Sequence, residues 1–82
     1  MDLKIVRAFK AKVNEANARP VYKDAPLDFE VAMFQDGKWA IVISSKKFLS
    51  SFVLEELFSL SRLYGLIGFI TSNNDVLSYH IQ

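Results

Sequence analysis

An α+β fold in the order helix–hairpin–helix–hairpin (αββαββ), with a four-stranded, mainly antiparallel sheet packed with two helices, is what this chain predicts. Three observations carry that expectation. Apolar residues recur at helical spacing in two segments, two pairs of short β-prone runs each flank a turn signal, and these four units alternate along 82 residues. One small antiparallel sheet packed with two amphipathic helices is the natural way to bury such elements. The whole chain, 1–82, reads as a single domain near the small end of what folds alone.

The first helix runs from Leu3 to about Ala18. Ile5, Phe9, Val13 and Ala16 fall within a narrow arc, with Val6 beside them. Asp2 is a fitting N-cap, and Pro20 stops the helix by lacking an N–H and by restricting Arg19. The opposite side carries Lys4, Arg7, Lys10, Asn14 and Asn17, a basic outer face. Residues 20–26, with two prolines, are a connector.

Two strands follow, Phe29 to Phe34 and Trp39 to Ile43, joined at Asp36-Gly37. Read as a two-residue type I′ turn, that dipeptide pairs Phe34 with Trp39, Ala32 with Ile41 and Glu30 with Ile43. Such a hairpin is apolar on both faces. Val31, Met33, Ala40 and Val42 point one way, and Ala32, Phe34, Trp39 and Ile41 the other. An antiparallel sheet normally needs only one dry face, so something must cover the second.

Ser44-Ser45 offers an N-cap for a second helix from about Lys46 to Tyr64, with Gly65 as its left-handed stop. Leu49, Val53, Leu57, Leu60 and Tyr64 form its main stripe, while Leu54 and Phe58 widen the apolar surface on one side. Leu66 to Thr71 and Val76 to Ile81 make the second hairpin around Ser72-Asn73-Asn74-Asp75. The expected register sets Ile70 opposite Leu77 and Gly68 opposite Tyr79, whose ring would fill the space left by the missing side chain.

Composition narrows the function classes. Ten basic and nine acidic residues give a net charge of +1, too little for a strong nucleic-acid or membrane field. The charge is uneven, with nine Lys/Arg and six Asp/Glu in residues 1–47 but one against three in 48–82. The chain has no cysteine, which removes disulfides, thiolate chemistry and Cys-ligated zinc. The most apolar stretch is interrupted by Glu55, Glu56 and Arg62, which argues against a membrane span. The expectation is a soluble, cytoplasmic product that starts at Met1 and is complete.

No catalytic set is legible. The single histidine, His80, has no companions at ligand or triad spacing. Asp24, Asp28 and Glu30 cluster near the first strand but read as solubilising charges that keep an edge from pairing with strangers. No cofactor, metal or catalytic residue is therefore expected.

Two groups of candidates remain. The protein-interface candidates are Phe34, Trp39, Ile41, Leu54 and Phe58, where apolar and aromatic residues exceed what one core needs. The electrostatic candidates, for an acidic partner or for nucleic acid, are Lys4, Arg7, Lys10, Lys46 and Lys47. The leading expectation is a small non-enzymatic interaction module, a regulator or inhibitor of the kind phages and mobile elements encode. It would bind a protein partner and self-associate as a homodimer. The alternative is a nucleic-acid-associated accessory protein using the basic helix face.

Overall fold

The structure, a computed structural model, describes residues 2–33 and 36–82. Its elements are α1 (Leu3–Asn17), a 3-10 turn (Pro20–Tyr22), β1 (Asp28–Met33), β2 (Trp39–Ser45), α2 (Ser51–Leu63), β3 (Gly68–Asn73) and β4 (Val76–Ile81). The sheet has the order β1-β2-β4-β3, and each of its three pairings is antiparallel. This is an α+β fold of two helices and a four-stranded antiparallel sheet.

Local chemistry explains the helix ends. The Asp2 carboxylate accepts from the Lys4 N–H at 2.8 Å, which starts α1. At the other end the Asn17 side chain accepts from the Leu27 N–H at 2.7 Å and donates to the Leu27 carbonyl at 3.1 Å. Asn17 is thus a half-buried clamp between α1 and the start of β1, not part of the solvated face that its position in the sequence suggests. The segment read as a plain connector holds a core residue, Tyr22. Its ring stacks on Phe48 at 5.3 Å, and its hydroxyl accepts from the Ser50 N–H at 3.0 Å.

The second helix starts later than its sequence signals suggest. β2 continues through Ser45, because β4 extends far enough to pair Leu77 with it. The buried Ser45 hydroxyl accepts from the N–H groups of Lys47 (3.2 Å) and Phe48 (2.9 Å), turning the chain out of the strand. Ser50, and not Ser44 or Ser45, caps α2 by accepting from the Val53 N–H at 3.3 Å. Gly65 takes a φ of 68° and closes α2, with Leu66 N–H bonded to the Ser61 carbonyl and Gly65 N–H to that of Arg62. This is the 6→1 and 5→2 pattern of a Schellman stop.

The register of the first hairpin corrects the expectation by one residue. Met33 pairs with Trp39, Val31 with Ile41 and Phe29 with Ile43, while Ala32 meets Ala40 and Glu30 meets Val42. Phe34 lies outside the described residues. In the described part of the connection between the strands, residues 36–38, the Asp36 carboxylate accepts from the Lys38 N–H at 2.9 Å. Among the described residues of this loop only Gly37 takes a positive φ, so Asp36-Gly37 is not a type I′ pair. A slip of one residue moves every side chain of one strand to the other face. The large residues Phe29, Val31, Met33, Trp39, Ile41 and Ile43 now share one face, and Ala32, Ala40 and Val42 the other. The hairpin is not strongly apolar on both sides.

The second hairpin differs from expectation by two residues, which preserves its faces. Gly68 pairs with Ile81 and Ile70 with Tyr79. Asn74 and Asp75 both take positive φ, 48° and 66°, and form a two-residue turn where a four-residue loop was expected. Tyr79 still lies over Gly68, one pair along: a Cβ at position 68 would run into the Tyr79 ring and hydroxyl.

Both helices pack on one face of the sheet. Phe9, Val13 and Ala16 of α1 and Val53 and Leu57 of α2 join Ile41, Ile43, Tyr79 and Ile81 in one core. Strand alternation sends Ala40, Val42, Ser44, Ser78 and His80 to the opposite face, on which neither helix packs and where Ala40 is buried and the others half-buried. Among the described residues no helix is long and apolar enough to cross a membrane.

Candidate interaction surfaces

The apolar residues left outside the core fall mainly into two patches. Leu3, Val31, Met33 and Trp39 gather where the N-terminus of α1 meets the tip end of the first hairpin. Ile67, Phe69 and Ile70 lie on or beside the β3 edge.

Trp39 anchors the first patch. It begins β2 on the helix-covered face beside the first turn of α1, and the residue stays 43% exposed. Leu3, Val6, Val31 and Trp39 line a shallow hollow of about 280 Å³. Arg7 and Lys10 lie one helical turn beyond Leu3 and Val6 on the same flank of α1, so a basic border adjoins the apolar floor. Tryptophan and arginine are among the residues enriched at protein-binding surfaces.

The other interface candidates take different places. Ile41 is fully buried in the core, because the shifted register turns it under α1 and α2. It is corrected from an interface residue to a core residue. Leu54 and Phe58 are half-buried against the core from the α2 side, and the Phe58 ring meets Tyr79 edge-on at 4.9 Å. They do not cover Trp39, which sits at the α1 side of the sheet.

The five basic candidates do not form one footprint. Lys4, Arg7 and Lys10 occupy the first half of α1. Lys46 and Lys47 follow the end of β2, where Asp28 pairs with Ser44 and the Asn17 clamp ends α1. Roughly 20 Å of helix separates Lys4 from that end, at 1.5 Å per residue. Arg19 stacks instead on Phe52, its guanidinium 3.7 Å from the ring centroid.

The polar groups inside the fold bond to one another and to the backbone. Ser61 donates to the Leu57 carbonyl at 2.8 Å, and its hydroxyl lies 2.8 Å from that of Tyr79. Burial pushes the Tyr79 phenol above its ordinary value of 10.0, against smaller opposing effects from Ser61 and Arg62. On the open face His80 stacks on Phe69 at 5.3 Å, and its Nε2 lies 3.0 Å from the Thr71 hydroxyl. Ser44 and Ser78 hydroxyls meet at 3.3 Å across the central strands. Among the described residues no cluster of three or more His, Asp or Glu side chains is placed to hold a metal ion.

Sequence reasoning missed the β3 edge as a surface. The signal was present: from Leu66 to Asn74 the sequence contains no charged residue. No protein-family model matches the chain, and no curated protein or solved structure does either.

Proposed function

We propose that this chain is a small protein-interaction module, acting as a regulator or inhibitor by occupying a surface of its partner. One observation carries the reading: Trp39 is held half-exposed over an apolar hollow that no described residue fills. A solvent-exposed tryptophan backed by Leu3, Val6 and Val31 is a costly surface to leave in water, and it repays that cost when a partner covers it. Arg7 and Lys10 alongside favour a partner segment that brings both an apolar side chain and carboxylates.

The test separates docking from folding. Trp39→Ala should abolish capture of the partner from host extract while lowering stability by less than about 1 kcal/mol, as expected of a half-exposed site. Arg7→Glu with Lys10→Glu should weaken the same capture at low salt and leave thermal unfolding unchanged. A Trp39→Ala chain that loses the roughly 3–5 kcal/mol of a core truncation would assign the ring to the core and end the proposal.

A further inference from the structure

The β3 edge has the features of a strand built to pair with its own copy. Ile67 and Gln82 exchange both backbone hydrogen bonds, at 3.0 and 2.9 Å. In an antiparallel ladder such pairs alternate, so Ile67, Phe69, Thr71 and Asn73 bond inward to β4. The N–H and C=O groups of Gly68, Ile70 and Ser72 therefore point out of the sheet, along an edge where no further strand lies among the described residues.

Three properties of this edge fit a second copy of the same chain. First, it is uncharged, so it offers nothing for an acidic or basic peptide to recognise, and two copies meet without repulsion. The opposite edge carries Asp28 and Glu30, which would face like charges in a symmetric pairing. Second, its outward groups are self-complementary. Centred on Ile70, an antiparallel pairing sets Gly68 against Ser72 of the copy and Ile70 against its own equivalent, so every outward N–H and C=O of the three residues finds a partner. Third, the exposed apolar side chains are placed to be covered by that pairing. Ile70, 44% exposed on the helix side, meets its equivalent, and Phe69 on the open face comes within diagonal reach of its own.

We infer that this protein forms a two-fold dimer in which β3 pairs antiparallel with β3 of a second copy about an axis at Ile70, making one eight-stranded sheet. The interface is isologous, since the same patch is used twice. It is separate from the Trp39 surface, which lies at the other side of the sheet and stays free to dock a partner.

Light scattering on the full chain tests this. Wild type should show twice the 9.3 kDa monomer mass. Ile70→Lys sets two ammonium groups against each other at the axis, and Ser72→Pro deletes an N–H that β4 does not use. Each should weaken dimerisation at least about tenfold, equivalent to about 1.4 kcal/mol, with the circular dichroism spectrum retained. Should Ile70→Lys lose its fold, Ser72→Pro decides the point alone. Trp39→Ala should leave the mass unchanged, so failure of the docking proposal and failure of this one read differently. A wild type that stays monomeric up to about 1 mM, the weak limit of specific association, overturns the inference. So does a dimer that survives both folded β3 variants, or one that Trp39→Ala dissociates.

Discussion

The two edges of the sheet are finished in opposite ways. β1 carries Asp28 and Glu30 and is tied to α1 through the Asn17 clamp on Leu27. β3 has no charge between Gly68 and Asn73, and five of its six residues are exposed. Charged side chains on an edge strand oppose pairing with another chain, and their absence permits it. The difference teaches that one small sheet can be closed to growth at one end and open at the other. Its core need not differ to achieve this.

The comparison can be broken most sharply with two isoleucines on the same sheet face. Ile43 projects from an inner strand and is fully buried, whereas Ile70 projects from the edge and is half-exposed. Urea unfolding should show a loss of about 2–5 kcal/mol for Ile43→Ala and under about 1 kcal/mol for Ile70→Ala at concentrations where the chain is monomeric. Equal losses would mean that β3 is covered within its own chain.

A smaller effect is expected at Gly68. An added methyl has the Tyr79 ring and hydroxyl in its way, and Tyr79 is buried and bonded to Ser61. Gly68→Ala should therefore cost about 1–3 kcal/mol in thermal denaturation. A neutral result would show that the ring swings aside, leaving the edge tolerant of side chains on its inner face.

The smallest change in stability should come from erasing the charges of the other edge. Asp28→Ser with Glu30→Thr should alter stability by no more than about 0.5 kcal/mol, as surface substitutions do. Self-association, followed by light scattering against concentration, should rise. If it does not, cover by α1 and not charge is what keeps β1 unpaired.

Much of the fold was legible residue by residue. Asp2, Gly65 and the apolar arc Ile5, Phe9, Val13 and Ala16 announced helix ends and a buried helix face, because capping and periodicity act over a few residues. The hairpin register was not read correctly, although its signal was there. Phe29, Val31 and Met33 alternate with smaller or charged residues, as do Trp39, Ile41 and Ile43. Counting apolar residues without regard to size hid an alternation that pairs large with large. Asn17, Ser45 and Tyr22 were also misread, since each bonds to backbone distant in sequence or outside its own element.

For the candidate surfaces, Trp39 stood out because an aromatic beside a turn is visible in the sequence, and its exposure keeps it a candidate. Ile41, two residues along, looked equivalent and is core. No local signal separates them: what differs is that α1 and α2 cover Ile41 and stop short of Trp39.

The sequence by itself determined two helices, two hairpins and a third strand without charge, because caps, turns, periodicity and charge are local properties. Tertiary structure alone decided the strand order that leaves β3 at an edge, the placing of both helices on one face, and hence which apolar residues stay in water. Those outcomes depend on the pairing of β2 with β4, which are distant along the chain, and on where a helix of fixed length ends over the sheet. Neither is written in any short stretch of residues.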